Sequence, residues 1–163
     1  MAKTPVTIKR ADVADLEFVM ATERMPGFDQ FIGCWNERQH RAAFASPSSA
    51  YLLGLQDSLE AEGFALILDI DDSHGNIFLK RIAVRKPGHG FGTKFLRSIV
   101  DWVFAQSDAY RFWLDVLDSN ARARHVYRKV GFVEEGVMRK AWRFPDGARG
   151  DLRLMSLTRP EWS

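Results

Sequence analysis

The sequence predicts a mixed α/β fold in which helices flank a central, mostly antiparallel sheet. Several short segments alternate apolar and polar residues, which is the pattern of half-buried strands. Longer segments between them repeat apolar residues every three or four positions, which is the pattern of amphipathic helices. Pro, Gly, Asp and Asn residues cluster between these segments, as expected of turns. The predicted element order is β-α-α-β-β-β-α-β-α-β-β.

The first three predicted elements are one strand and two helices. Residues 6–10 alternate apolar and polar side chains and predict the opening strand. Asp12 is a typical N-cap for the helix that follows. The apolar face of that helix is expected to contain Val13, Leu16, Val19 and Met20. A second helix is predicted over residues 37–44.

The middle of the chain predicts three strands. Residues 51–55 and 64–70 are strand-like runs, and a turn is expected between them over residues 60–63. Turn-forming residues fill positions 71–76. Because a short turn joins antiparallel neighbours, residues 64–70 and 77–84 are expected to pair as a hairpin.

The last third of the chain predicts two more helices and three strands. Apolar spacing indicates a helix over residues 93–106, followed by an alternating strand over residues 110–116. Asp118 or Ser119 is expected to cap a short helix over residues 120–130, which Gly131 ends. The two closing strands are expected at residues 132–142 and 152–157, joined by a turn at residues 145–147.

Composition limits the classes of protein that the chain can be. With 163 residues, 46% of them hydrophobic, and a net charge of +2, the chain predicts a single globular domain over residues 1–163. Cys34 is the one cysteine, so neither an intrachain disulfide nor a cysteine-based zinc cluster is possible. The amino terminus lacks the apolar stretch of a signal peptide, and no run suits a membrane helix. We therefore expect a soluble cytoplasmic protein with no membrane partner.

The low net charge also argues against nucleic acid as a partner, although basic clusters occur at residues 81–86 and 122–129. The four histidines are not at metal-ligand spacing, so no metal is expected. They are His40, His74, His89 and His125.

A glycine-rich loop precedes the helix predicted over residues 93–106. Gly88, Gly90 and Gly92 alternate with other residues after a strand. Glycines allow successive backbone N–H groups to face one point, and the start of a helix adds its positive dipole end, so the segment predicts a phosphate site. The spacing matches neither a Walker loop nor a dinucleotide fingerprint. The alternative is a tight turn that binds nothing.

A second segment places three residues on one helix face. Asn120, Ala123 and Tyr127 are at positions i, i+3 and i+7, which leaves a small residue between two polar groups. This pattern suits a shallow channel for a ligand. The alternative is that Tyr127 packs its ring into the core with Val126 and Val130.

Together the two segments resemble the GNAT superfamily of N-acetyltransferases. The glycine loop is similar to the family's acetyl-CoA loop, and residues 120–132 match its pattern N-x-x-A-x-x-x-Y-x-x-x-G-F. The carboxy-terminal region is similar to the branch that acetylates ribosomal-protein N-termini, polyamines or antibiotics. One departure is Pro87, which stands where the family usually has Gln or Arg.

The resemblance implies the GNAT acyl-CoA N-acyltransferase fold and the use of acetyl-CoA as co-substrate. It implies that acetyl-CoA lies between the strands at residues 77–84 and 110–116. The implied cofactor-binding residues are Ile82, Ala83, Val84, Gly88, His89, Gly90, Phe91, Gly92, Thr93 and Asn120. Cations available for the phosphates are Arg85, Lys86, His89 and Lys129.

The resemblance also implies an acetyl transfer to a primary amine, on a small molecule or a protein N-terminus. Tyr127 is the expected general acid, because a phenol can protonate the departing thiolate. The general base is left open among a water chain and several side chains, which are Asp115, Glu23, Glu37, His40 and His74. Phe28, Phe31 and Trp35 either line the acceptor pocket or belong to the core. A homodimer is possible, and the alternative function is a non-catalytic acyl-CoA sensor.

Overall fold

Seven strands and four helices make up this computed structural model, which describes residues 5–28, 31–57 and 59–162. The strands are β1 (Thr7–Arg10), β2 (Ala50–Leu55), β3 (Ala61–Leu68), β4 (Asn76–Val84), β5 (Arg111–Leu117), β6 (Val133–Arg143) and β7 (Arg149–Thr158). The helices are α1 (Leu16–Glu23), α2 (Glu37–Ala45), α3 (Phe91–Gln106) and α4 (Ala121–Val130). Short 3-10 turns lie at Val13–Asp15 and Arg159–Glu161.

The strands form one sheet in the order β1-β2-β3-β4-β5-β7-β6. Neighbouring strands are antiparallel except for β4 and β5, which are parallel. The predicted fold class and element order are therefore confirmed. Because a parallel pair needs a crossover connection, α3 joins β4 to β5 across one face of the sheet.

Two local predictions are wrong. The turn expected over residues 60–63 is mostly strand, because β3 begins at Ala61 and pairs with β2 from that residue onward. Neither Asp118 nor Ser119 caps α4: the cap is Asn120, whose Oδ1 accepts a hydrogen bond from the Ala123 N–H at 3.2 Å. Asp12 caps the 3-10 turn Val13–Asp15 that leads into α1, and its side chain accepts from the Ala14 N–H at 2.9 Å; α1 itself begins at Leu16 without a side-chain cap.

The core lies on both faces of the sheet. On one face, the apolar side of α3 packs over the inward residues of β4 and β5; Phe95, Ile99 and Phe112 are fully buried there. On the other face, α1 and α2 cover a second cluster that includes Val19, Tyr51 and Phe64. Burying apolar area on both faces stabilises the sheet and fixes the position of its strands.

A β-bulge interrupts β4 at Lys80. Leu79 pairs with Ile67 and Arg81 pairs with Leu66, so Lys80 is the extra residue. The bulge shifts the alternation of side chains along the strand. Leu79 therefore packs on the α3 face, whereas Arg81 and Ala83 are buried toward α1.

The parallel pair β4–β5 separates soon after it forms. The strands pair only at Asn76, Ile77 and Phe78, although β4 continues to Val84 and β5 to Leu117. Beyond that point β4 follows β3, with which it pairs as far as Val84, and β5 follows β7 over its whole length. A V-shaped opening between the two strands results.

In the described ranges, no helix combines the length and the apolar character that crossing a membrane requires.

Candidate active site

A cleft of about 630 Å³ occupies the opening between β4 and β5. One wall is the edge of β4 from Leu79 to Val84, and the other includes Asp115, Val116 and Leu117 of β5. Residues from the start of α3, from α4, from the α1–α2 connection and from the β6–β7 hairpin complete the lining. Because β5 no longer pairs with this part of β4, the backbone there has no strand partner on its cleft side. An extended ligand that carries amides can pair with such an edge.

The start of α3 forms one end of the cleft. Its N-cap is Gly90, at φ +78°, which is the left-handed region that favours glycine, and no side chain caps the helix. A Cβ at Gly90 or Gly92 would meet no atom within 4 Å, so the space above the loop is open. The uncapped N–H groups of the first turn and the helix dipole favour an anion here. The loop therefore suits the phosphates of the implied co-substrate.

Seven of the ten predicted cofactor-binding residues line the cleft: Ile82, Ala83, Val84, Gly90, Gly92, Thr93 and Asn120. The other three, Gly88, His89 and Phe91, are outside its described lining. The Phe91 ring packs into the core, 5.5 Å from the Phe95 ring, so only its backbone is available to a ligand. A Cβ on Gly88 would lie 2.9 Å from the Arg122 guanidinium, and Arg122 itself lines the cleft.

The cations proposed from sequence for the phosphates are not the ones that line the cleft. Arg85 is directed toward α1, where its Nε donates to the Thr22 hydroxyl at 3.0 Å and its guanidinium stacks on Phe18. Among the described lining residues, Arg122 is the cation next to the glycine loop. The sequence signal that could have found it is its place in the first turn of α4, five residues before Tyr127.

Tyr127 lies in the wall that α4 contributes. Its ring is buried and contacts Phe132 edge to face at 6.0 Å, so the core packing considered as an alternative is present. Tyr127 also lines the cleft, so its side chain both packs against the core and is accessible to a ligand. Burial raises the pKa of the Tyr127 phenol, and the nearby charge of Asp115 raises it further. The phenol therefore keeps its proton at neutral pH.

Asp115 faces the cleft from β5, two residues beyond the last residue that pairs with β4. Burial raises the pKa of its carboxyl above the usual value, and the Lys80 charge partly offsets this. Lys80 also lines the cleft, and burial lowers the pKa of its ammonium. Within the described residues the two make no direct ion pair, so each is open to a ligand.

The other candidate bases are engaged elsewhere or lie outside the cleft lining. Glu23 and His40 are fully buried, and the His40 Nε2 lies 2.6 Å from the Glu23 Oε1. Glu37 is exposed and pairs with Arg41. His74 lies in the turn between β3 and β4. Of the five side chains proposed from sequence, Asp115 is the one that lines the cleft.

Glu23 belongs to a buried network of four side chains that sequence reasoning did not identify. Tyr51 and His40 are joined at 2.6 Å, and Arg81 donates to the Glu23 Oε2 at 3.3 Å. Burial raises the pKa of Tyr51, so its hydroxyl keeps its proton, and with the His40 ring proton on Nε2 that hydroxyl donates to Nδ1. The His40 Nε2–H then donates to the Glu23 carboxylate. The sequence signal that could have indicated this network is the presence of polar residues, Glu23 and His40, within the helices α1 and α2.

The α1–α2 connection and β6 supply an apolar side of the cleft, which we call the aromatic wall. Its members are Phe28, Phe31, Ile32 and Trp142. The sequence left Phe28 and Phe31 open between this role and the core; both line the cleft, and Phe28 also packs against the second core cluster. Trp35 is not part of the cleft lining; its ring packs against His40 and the Arg81 guanidinium. Trp142 was missed, because only the tertiary fold brings the β6–β7 hairpin to the α1–α2 connection.

The described residues contain no group of three or more His, Cys, Asp or Glu side chains that could hold a metal ion. Cys34 is exposed beside the α1–α2 connection, with its Sγ 3.8 Å from the Glu23 carbonyl oxygen.

Two relatives are similar to parts of the sequence. A spermidine N(1)-acetyltransferase of Vibrio cholerae is 27% identical over 101 residues, which are 61% of this chain and 58% of that protein. A spermidine N(1)-acetyltransferase of Escherichia coli K12 is 31% identical over 78 residues, 47% of this chain and 42% of that protein. The chain thus spans about half the length of these curated relatives.

Solved structures share the fold over almost the whole chain. The Vibrio cholerae spermidine N-acetyltransferase, crystallised with CoA and spermine, superposes with a TM-score of 0.85 at 18% identity. That match covers 97% of this chain and 98% of the other. The Escherichia coli ribosomal-protein-S18-alanine N-acetyltransferase superposes with a TM-score of 0.77 at 23% identity, covering 94% and 93%. Both kinds of enzyme belong to the branch that the sequence resembles.

The family model described as "Acetyltransferase (GNAT) family" matches residues 19–132. The match includes the splayed strands, the glycine loop, and α4 with Asn120 and Tyr127. The resemblance stated from the two motifs is therefore confirmed, and the chain belongs to the acetyltransferase (GNAT) family.

Proposed function

We propose that this protein is an N-acetyltransferase that moves the acetyl group of acetyl-CoA to a primary amine by direct attack. The observation that carries the proposal is the joint placement of Asp115 and Tyr127 in a cleft that ends at the uncapped start of α3. Such a cleft offers an anion site, an unpaired strand edge, a base and an acid. The family and the relatives that act on spermidine support an amine as acceptor.

The chain's own groups would hold the co-substrate along the cleft. The N–H groups at Gly92 and Thr93, with Arg122, would bind the phosphates. The unpaired edge of β4 at Ile82 and Val84 would pair with the amides of the pantetheine arm. When bound, acetyl-CoA supplies an acetyl group activated as a thioester. A backbone N–H of β4 would stabilise the oxyanion that develops on the carbonyl.

Asp115 is the base in this proposal. An alkylammonium has a pKa of about 10, so the acceptor must lose a proton before its nitrogen can attack. The raised pKa of the Asp115 carboxyl makes it a better proton acceptor than an exposed aspartate. Asp115 takes that proton and passes it to solvent, and the neutral nitrogen then forms a bond to the carbonyl carbon. As the amide forms, the nitrogen loses a second proton, which replaces the one that Tyr127 gives to the departing thiolate.

Tyr127 is the acid. The carbon–sulfur bond breaks as the new amide forms, and the sulfur leaves as a thiolate that needs a proton. The Tyr127 hydroxyl stays protonated because burial raises its pKa, so it is available to donate. The products are the acetylated amine and CoA.

The test is the release of CoA thiol from acetyl-CoA, measured with and without a panel of primary amines. We expect amine-dependent release by the wild type. Tyr127→Phe should lower kcat about 100-fold or more, the scale of general acid catalysis, while KM for acetyl-CoA stays within about twofold. Tyr110→Phe is the matched control, because Tyr110 is 56% exposed and outside the cleft lining, and it should keep full activity.

Two outcomes would contradict the proposal. Binding of acetyl-CoA without any amine-dependent thiol release would favour the acyl-CoA sensor. Full turnover by Tyr127→Phe would remove Tyr127 from the role of acid. The single-domain organisation, the cytoplasmic location, the homodimer and the absence of a metal stay predictions from sequence.

A further inference from the structure

Few charged side chains line the cleft, and two of its cations are already engaged or lie at the phosphate end. The described lining holds one carboxylate, Asp115, and three cations, Lys80, Arg81 and Arg122. Arg122 lies beside the glycine loop, at the phosphate end. Arg81 is buried and its charge is paired with Glu23 at 3.3 Å. Lys80 and Asp115 are thus the two charges left for an acceptor.

Lys80 and Asp115 occupy equivalent places on the two strands. Each lies two residues beyond the last β4–β5 pair, Phe78 with Trp113, so they stand on opposite sides of the cleft where it begins to open. The Lys80 Nζ lies over the rings of both Trp35 and Phe78, 6.0 and 5.9 Å from their centroids. The bulge at Lys80 and these rings position the ammonium across the cleft opening from the Asp115 carboxylate.

The aromatic wall is the remaining feature. Phe28, Phe31, Ile32 and Trp142 present apolar surface to the cleft. The ring of Trp142 lies close to Gly33, where a Cβ would meet it at 3.7 Å and Arg81 at 2.9 Å. Apolar surface of this extent gains free energy by covering an apolar side chain, and it offers no partner to a second ammonium group.

We propose, on the basis of the function proposed above, that the acceptor is an amine with a carboxylate beside it and an apolar side chain, as in a hydrophobic amino acid. Asp115 would face the amine, Lys80 the carboxylate, and the aromatic wall the side chain. A cation and an anion on opposite sides of the cleft match a zwitterion in sign and arrangement.

A polyamine fits these groups poorly. Spermidine carries several positive charges at neutral pH, and each buried ammonium needs a carboxylate or other acceptor. The described lining offers one carboxylate, and Lys80 would repel the second ammonium group. This chain is therefore expected to differ in acceptor from its spermidine-acetylating relatives.

The experiment compares five acceptors in the thiol-release assay: phenylalanine, leucine, the amide of each, and spermidine. Each amide keeps the side chain and the amine but lacks the anionic carboxylate, so it also represents a peptide N-terminus. We expect both free amino acids to exceed spermidine in kcat/KM by at least about tenfold, the scale of one charge-assisted hydrogen bond.

Lys80→Met isolates the carboxylate contact. It should lower the ratio of kcat/KM for each free acid to that for its amide by about tenfold, the scale of one charge-assisted contact. The free acid and its amide differ in the basicity of their amines, and this difference affects both enzymes equally. It therefore cancels when the acid-to-amide ratio of Lys80→Met is divided by that of the wild type. KM for acetyl-CoA should not change. Lys9→Met, an exposed lysine on β1, is the matched control and should leave every ratio unchanged.

Three results would overturn the inference. Spermidine could be the best acceptor, or the ratio of kcat/KM for the free acid to that for its amide could be the same in wild type and Lys80→Met. In both of these cases amine-dependent thiol release would persist, so the proposed function would stand. Absence of release with every amine would instead overturn the proposed function, and this inference with it.

Discussion

Asp115 is a carboxyl in a partly desolvated cleft, near enough to interact electrostatically with the cationic Lys80 and with the phenol of Tyr127. Desolvation disfavours its charged form, which raises its pKa, and the Lys80 charge opposes that shift. The carboxyl must be ionised to accept a proton. As pH falls through its raised pKa, the base is lost and kcat should fall.

The prediction at Asp115 is a changed pH profile. The acid limb of wild-type kcat should lie above the range of an exposed aspartate, whose pKa is about 4. Asp115→Asn should lower kcat at pH 7 by about 100-fold, the scale of general base catalysis. Its remaining activity should rise with pH, because only amine that has already lost its proton can react. The measurement is kcat against pH at saturating substrates.

Lys80→Met tests the same assignment from the other side. Removing the positive charge should move the acid limb to higher pH, because that charge lowers the Asp115 pKa. If the acid limb of kcat were unchanged in both Asp115→Asn and Lys80→Met, the group that titrates there would not be Asp115.

Residue-scale reasoning from sequence named both Tyr127 and Asp115 as candidates and left the base open. The candidates Glu23 and His40 have the right chemistry, and only their burial in a closed network removes them. A sequence gives residue types, whereas the availability of a lone pair depends on which side chains meet in space.

At the scale of elements, Asn120 has a role in the stability of α4 and a place in the lining of the cleft. Its Oδ1 caps the helix by accepting the Ala123 N–H, and the residue lines the cleft. The side-chain amide therefore has two separable parts: an oxygen that stabilises the helix, and an N–H₂ group that can reach a ligand.

Two substitutions separate these parts. Asn120→Asp keeps the capping oxygen, so the free energy of unfolding should change by less than about 0.5 kcal/mol, while KM for acetyl-CoA should rise severalfold. Asn120→Ala loses both parts and should also cost about 1 kcal/mol of stability. Urea unfolding and acetyl-CoA kinetics measure the two effects. Equal KM values for wild type and Asn120→Asp would mean that the amide only caps the helix.

The order, type and approximate limits of the elements were predictable because alternation and helical spacing are local patterns. The bulge at Lys80 was not, since it is defined by the pairing of β4 with β3 and leaves little mark on composition. The cap of α4 was predicted one or two residues too early, because Asp118, Ser119 and Asn120 are all good capping residues.

At the scale of the whole molecule, the buried network of Glu23, His40, Tyr51 and Arg81 connects α1, α2, β2 and β4. The Glu23 carboxylate accepts from His40, Arg81 and Arg24. Because Arg81 also lines the cleft, the network holds one wall of the site in place.

Breaking this network should destabilise the fold strongly. Glu23→Gln leaves the buried Arg81 guanidinium without its counter-charge, which should cost about 3–5 kcal/mol in the free energy of unfolding. Glu37→Gln is the control, because the Glu37–Arg41 pair is exposed and is worth less than about 1 kcal/mol. Urea unfolding of both variants measures the difference, and equal midpoints would mean that the network adds no stability.

The sequence by itself determined the mixed α/β class, the strand order along the chain, the glycine loop and the Asn120–Tyr127 helix face, and with them the family. These features follow from local spacing and from motifs whose residues are close in the chain. Only the tertiary structure decided which charges face the cleft, that Trp142 meets the α1–α2 connection, and that Glu23 is withdrawn into a network. The reason is physical: burial, pKa and charge pairing depend on residues far apart in sequence, which meet only when the sheet forms.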